Sequence, residues 1–292
     1  MSASHYWELR VPVTDEISEG VTNFLWELGA LGVVEEAPGP GAAALRAFFS
    51  AATVPESLDA SVREYLGGLV SLGFGEAGEP VVAPLADENW ASAWREHFRP
   101  LAVGAALLVA PSWDVPDANG TLTIIVDPGR AFGTGHHGTT RGCLEALEAL
   151  VARARPATAI DLGTGSGILA IALARLGVAQ VLALDDDPDA VAAAIENAAR
   201  NDLAARVECR LGDAAALDTP PAPLVVANLL TAAHRRLAAA YARCVAGGGR
   251  LVLGGILDAE AGEVLAAVGA YGFALLEARS IEGWTTLVLE RR

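Results

Sequence analysis

The segment Ala159-Ile160-Asp161-Leu162-Gly163-Thr164-Gly165-Ser166-Gly167 runs from an apolar strand into a glycine-rich turn and then a helix. Glycines at such a turn remove side chains that would collide with a nucleotide-type ligand, and the helix start beyond it favours negative groups. A dinucleotide fingerprint would put its third glycine where this chain has Ile168. The spacing is Gly-x-Gly-x-Gly, which favours adenosylmethionine over nicotinamide dinucleotide. Asp161, Gly163 and Gly165 are the expected donor-binding residues of the turn. The next apolar run, Val181-Leu182-Ala183-Leu184-Asp185, ends in a carboxylate. About 20 residues past the glycine turn, such an acid can accept both ribose hydroxyls. Asp185 is therefore the ribose candidate. Its other reading, the N-cap of the helix beginning near Pro188, suits Asp187 better.

Further positions can contribute. Leu224-Val225-Val226-Ala227-Asn228 places an amide at the carboxyl end of a buried strand, the edge where open α/β sheets bind ligands. Asn228 can hold an amine while it attacks a methyl group, or it can be a turn-forming residue. Asp213 can accept from an adenine amino group or stand as a solvated loop acid. The stretch Asp127-Pro128-Gly129-Arg130-Ala131-Phe132-Gly133-Thr134-Gly135-His136-His137-Gly138-Thr139-Thr140 is a glycine-rich loop before a helix. Phe132 offers a stacking or packing face. Thr139 or Thr140 can cap that helix or bond a ligand carboxylate at its positive end. His136 and His137 lack further ligands at metal spacing and read as polar loop residues, so no metal is expected.

These residues need a scaffold. From Arg250 to Gly254 and back through the motifs above, strands alternate with helices, which implies a mostly parallel sheet. Only the residues from Arg279 to Trp284 separate the last two strands, so the final one is expected antiparallel, in an edge hairpin. Before this domain the order of elements is βαββαβ, the ferredoxin-like split-βαβ pattern, over residues 1–84. Residues 85–104 read as a linker helix with Trp90, Trp94 and Phe98 along one face, and residues 105–292 as the catalytic domain. The expected fold class is α/β, a seven-stranded Rossmann-like sheet of the class I methyltransferase type preceded by the small α+β domain.

Composition sets the outer limits. The chain has 292 residues, 52% hydrophobic, enough for a real core in one large or two ordinary domains. No apolar run reaches the roughly 18 residues of a membrane helix, and the start lacks the basic region and cleavage site of a secretory signal, so a cytoplasmic address is expected. Cys143, Cys209 and Cys244 have no CxxC spacing and read as reduced thiols. All 20 basic residues are arginine, and the net charge is −16. Such a surface repels phosphate backbones and attracts cationic partners, so no direct nucleic-acid or membrane partner is expected.

With these pieces in order the chain resembles the PrmA family of ribosomal-protein methyltransferases over nearly its whole length. The resemblance rests on Phe24-Leu25-Trp26-Glu27-Leu28-Gly29-Ala30, Trp90, Trp94, Pro111-Ser112-Trp113, the Asp127 to Thr140 loop, and the sheet motifs that follow. The loop departs from the family's pattern at His136 and Gly138, where the family often has Thr and Pro. The resemblance implies S-adenosyl-L-methionine held by Thr140, Gly163, Asp185 and Asn228; the catalytic residue expected from its strand-end position is Asn228, orienting the amine. The resemblance also implies a basic ribosomal protein of the large subunit, the eleventh, as substrate, methylated at lysines and the N-terminal amine. The first domain becomes a substrate-recognition module that swings about the linker. Two alternatives are a lysine methyltransferase acting on another protein and a silent adenosylmethionine-binding adaptor.

Overall fold

The computed structural model describes residues 5–292 except 31, 40, 41, 51, 52, 72, 73, 75, 76, 87–98, 118, 119 and 128–136. Trp90, Trp94, Phe98 and Phe132 therefore lie outside the described residues. The chain divides into two compact units, Met1–Arg99 and Pro100–Arg292.

In the first unit, β1 (His5–Val13), α1 (Asp15–Glu27), β2 (Gly32–Gly39), β3 (Ala42–Phe49), α2 (Pro55–Ser71) and β4 (Val81–Ala86) form an antiparallel sheet in the order β2-β3-β1-β4. Sequence period explains which side chains go inside. Leu9, Val11 and Val13 alternate along β1, and Leu45, Ala47 and Phe49 along β3. Ile17, Val21 and Leu25 on α1, and Leu58, Val62 and Leu66 on α2, recur at four-residue spacing and close the same core. Each such aliphatic side chain contributes about 1.5–3 kcal/mol on burial. Phe24 stacks on Tyr65 at 4.0 Å, which ties the two helices together.

The second unit opens with a three-stranded sheet of β5 (Leu101–Val103), β6 (Leu107–Ala110) and β7 (Leu122–Ile125). Residues 100–104, expected in the linker, thus pack with the second unit. Its main sheet comprises β8 (Thr158–Leu162), β9 (Gln180–Asp185), β10 (Val207–Leu211), β11 (Ala222–Asn228), β12 (Val245–Leu257), β13 (Phe273–Ile281) and β14 (Trp284–Arg291). The strand order is β10-β9-β8-β11-β12-β14-β13. All neighbours up to β12 run parallel, and β14 runs antiparallel to both β12 and β13. This is the class I methyltransferase sheet. The antiparallel final strand and the edge hairpin are as expected. The last strand is inserted between β12 and β13, and β13 takes the edge.

Helices α3 (Gly138–Ala154), α4 (Ile168–Arg175), α5 (Pro188–Arg200), α6 (Thr231–Cys244) and α7 (Ala261–Gly269) cover the two faces. Alternation along the strands feeds two cores. Leu224 and Val226 of β11 join the cluster of α3 and α4, while Val225 and Ala227 join that of α6 and α7. Chain order reverses between β8 and β11, so the crevice of an open sheet lies at their carboxyl ends. No helix among the described residues is long and apolar enough to cross a membrane.

Candidate functional site

The turn after β8 is left-handed at Gly163, Gly165 and Gly167. Its backbone is pinned from β9: Gly163 and Thr164 donate N–H bonds to the Leu184 carbonyl at 2.8 and 3.0 Å. Gly163, with φ of +73°, stands where a Cβ would come 2.4 Å from the Leu229 side chain. Its lack of a side chain lets the turns after β8 and β11 meet.

Asp185 lies at the end of β9, partly exposed. One carboxylate oxygen accepts from Gly165 N–H at 2.8 Å and the other from Asp187 N–H at 3.1 Å. Asp187, with Pro188 behind it, is the N-cap of α5 and accepts from Asp189 N–H. Asp185 is thus not the cap. A carboxylate has about four lone-pair sites, so two bonded N–H groups leave acceptor capacity.

Asp161 is fully buried. Its Oδ2 accepts from Thr164 Oγ1 at 2.6 Å and from Ala170 N–H at 3.2 Å, while Oδ1 has no partner among the described residues. It clamps the glycine turn to α4 from beneath. Burial pushes its pKa up to about 7, against the lowering effect of those two donors, and the charge of Asp185 adds to the rise. The folded carboxyl therefore keeps its proton at pH values where the unfolded one, near 3.8, has lost it. Stability from this group is fully present below the unfolded value and falls as pH rises toward about 7. Asp161→Asn should then match the parent near pH 4 and exceed it by a few kcal/mol near pH 8. Denaturant titrations at the two pH values measure this.

Asp213 caps a short 3-10 turn by accepting from Ala215 N–H at 2.8 Å, so its carboxylate has a local task. The long loop is held at both ends. Asp127 accepts from Ser112 N–H at 2.6 Å and from its hydroxyl at 2.8 Å, and lies 3.5 Å from Arg200. The buried Asn201 amide grips both backbone groups of Ile125 at 2.9 and 2.7 Å. At the exit, His137 rather than Thr139 or Thr140 is the N-cap of α3. Its ring meets Trp284 edge to face at 5.0 Å, so Trp284 packs against the loop's exit. Gly138 follows, and the Ile281 carbonyl sits 2.8 Å from where its Cβ would stand. The hairpin backbone occupies the space that a proline ring would need there.

Thr139 and Thr140 are buried, and their hydroxyls lie 3.3 and 3.4 Å from Asn228 Nδ2. The N-terminus of α3 and the end of β11 therefore converge, as the sequence motifs implied without proving. Asn228 Oδ1 is buried with no partner among the described residues. Gly254 and Gly255 lie against it, and their missing side chains let Cys143, Asn228 and Leu229 pack close to β12. A Cβ at Gly254 would stand 3.0 Å from Oδ1, and one at Gly255 2.4 Å from the Leu229 carbonyl oxygen. Gly255 also has φ of +77°. Gly255→Ala should cost about 1–3 kcal/mol, seen as a lower urea midpoint with an unchanged slope.

The Gly254 carbonyl accepts from Leu229 N–H at 3.1 Å and from His234 Nε2 at 2.8 Å. A carbonyl cannot donate, so His234 carries its hydrogen on Nε2 and accepts at Nδ1 from the Tyr241 hydroxyl, 2.8 Å away. Burial lowers the His234 pKa to about 4, which keeps the imidazole neutral.

The residues fit a sulfonium nucleoside. The glycine turn offers close backbone approach, Asp185 offers acceptors, and the Asn228 oxygen, buried with no partner among the described residues, offers one more.

Comparison with known proteins agrees. The model of the family described as ribosomal protein L11 methyltransferase (PrmA) matches residues 5–292. The chain is 37% identical over 278 residues to the ribosomal protein L11 methyltransferase of Trichlorobacter lovleyi, covering 87% of this chain and 88% of that one. It is 38% identical to the protein of the same name from Pelotomaculum thermopropionicum, covering 96% and 97%. Among solved structures, the ribosomal protein L11 methylase of Lactobacillus delbrueckii subsp. bulgaricus superposes with a TM-score of 0.62 at 29% identity, over 67% of this chain and all of that one. A family match over nearly the full length, met by a sheet and a crevice of the kind its chemistry needs, makes this chain a member of the ribosomal protein L11 methyltransferase (PrmA) family.

Proposed function

We propose that the protein transfers methyl groups from S-adenosyl-L-methionine to amino groups of ribosomal protein L11, at lysine side chains and the N-terminal amine. The observation that carries this reading is the Asn228 carbonyl oxygen, buried beside Gly254 and Gly255 and lacking a donor among the described residues. An amine N–H is the donor that would complete it. Family membership supports the reaction and the substrate.

Bound in the crevice, the donor supplies a methyl carbon activated by a positive sulfur. Asp185 would hold its ribose, the Gly163 to Gly167 turn its backbone-facing side, and Thr140 its amino-acid end. Asp161 and Asp213 act at one remove, by fixing the glycine turn and the 3-10 turn. Asn228 Oδ1 accepts an N–H of the substrate amine and turns its lone pair toward the methyl carbon, so the work of this chain is orientation. The amine must be neutral, whereas a free lysine has a pKa of about 10.4. Desolvation in the crevice lowers it, and the proton leaves to water. The net charge of −16 favours the approach of a cationic substrate. The first unit, through its sheet and two helices, is the recognition module in this reading.

Incubation of the full chain with purified L11 and donor, followed by peptide mapping in the mass spectrometer, tests the proposal. Mass steps of one methylene on lysine peptides and on the N-terminal peptide are expected. An unmodified L11 under conditions where the donor binds would refute it and favour a silent adaptor.

A further inference from the structure

We propose that His137 and Thr139 form a positioning relay that fixes which end of the Asn228 amide faces the substrate; this rests on Asn228 being the amine acceptor. Thr139 N–H points at His137 Nδ1 at 3.4 Å, and Thr139 Oγ1 lies 2.9 Å from the same nitrogen. A ring nitrogen that accepts from a backbone N–H presents its lone pair there, so the neutral imidazole carries its hydrogen on Nε2. The Thr139 hydroxyl, at the shorter 2.9 Å, shares that single lone pair as the stronger of two donors. With its one hydrogen committed, Thr139 Oγ1 can only accept.

The group opposite Oγ1, at 3.3 Å, is therefore obliged to be the N–H side of the Asn228 amide, and Thr140 Oγ1 lies 3.4 Å from the same nitrogen. The two ends of an amide have nearly the same shape, and only such a network tells them apart. Here it turns Oδ1 toward Gly254 and Gly255 of β12, 3.0 and 3.1 Å from where their Cβ atoms would stand. Without the histidine acceptor, the Thr139 hydroxyl is free to donate to Oδ1, and the amide can turn end for end. An incoming amine would then meet a donor instead of an acceptor. The ring that starts the relay is itself held by Trp284 at 5.0 Å with planes at 62°. Next to it, Arg141 and Glu282 join the first turn of α3 to the β13–β14 turn at 2.7 Å.

The test uses the full chain with L11 and donor, reading kcat together with the affinity for S-adenosylhomocysteine. Thr139→Val keeps the shape and removes the hydroxyl, and should lower kcat about 10- to 100-fold while donor affinity stays within about threefold. Thr139→Ser restores the hydroxyl and should recover kcat to within about threefold of the parent. His137→Phe keeps a ring against Trp284 and should lose kcat to a similar extent. The double variant His137→Phe with Thr139→Val should be no slower than the slower single one, because one relay can be broken only once. Losses that multiply in the double variant, as two separate packing defects would give, overturn the relay, and so does parental kcat in Thr139→Val. If Thr139→Val does not fold, Thr139→Ala carries the same expectation. Asn228→Ala in the same assay separates the two levels. If it loses activity while Thr139→Val does not, the relay falls and the role of Asn228 stands; if neither loses activity, both fall.

Discussion

Replacing Asn228 with alanine should lower kcat for methylation of L11 by about 100-fold or more, with donor affinity changed far less. The amide has little to do for the fold. Its N–H side makes only long bonds, 3.3 and 3.4 Å, to two threonines, and its oxygen makes none among the described residues. The substitution therefore removes an acceptor whose partner arrives only with substrate. A loss confined to kcat identifies an interaction made in the transition state, whereas a loss confined to KM would indicate uniform binding. Steady-state rates at saturating donor, with calorimetry for the donor, distinguish these outcomes. Parental rates in Asn228→Ala would remove Asn228 from the reaction.

Asp185→Ala should raise the dissociation constant for the donor by about 100-fold, as expected for losing about 3 kcal/mol of charge-assisted hydrogen bonding to two hydroxyls. It also frees Gly165 N–H from its 2.8 Å partner, so the glycine turn loses a tether toward β9. Asp185→Asn keeps the shape and one acceptor oxygen and should fall between parent and alanine. At saturating donor, kcat should change by less than about tenfold, because Asp185 holds the nucleoside and not the reacting atoms. Calorimetry with S-adenosylhomocysteine measures the affinity, and a constant within about threefold of the parent would rule out the ribose role.

Most of the fold was legible because its signals are local. The four-residue spacing of Ile17, Val21 and Leu25, the alternation along β1 and β3, and the strand-turn-helix around Gly163 each declare an element without reference to the rest. Pairing partners are not local. The two terminal strands were readable as a hairpin, but not the insertion of β14 between β12 and β13. A trace of it is present even so. Trp284 to Leu289 is buried throughout, the mark of a strand covered on both faces, whereas Leu275, Leu276 and Ala278 of β13 are exposed and sit among charges, as suits an edge.

The site was legible to a similar depth. Strand-end position singled out Asp185 and Asn228, both of which stand at the crevice. Asp161 belongs to the same motif, yet the motif does not say which way a side chain points, and its carboxyl turns down onto Thr164 and Ala170. Ser, Thr, Asp and Asn are the usual caps, so residue type points to the threonines, and nothing in the type of His137 marks it as the cap it is. Gly254 and Gly255 gave no signal beyond the end of a strand. Their role depends on Asn228 and Leu229 approaching from β11, a contact that exists only once the sheet has formed.

The most direct measurement is a crystal structure of the full chain with S-adenosylhomocysteine. The expected result places the ribose hydroxyls on the Asp185 carboxylate, the nucleoside against the Gly163 to Gly167 turn, and the sulfur facing Asn228. A nucleoside bound elsewhere, or turned so that its ribose lies away from Asp185, would contradict the assignment of this crevice as the methyl-transfer site.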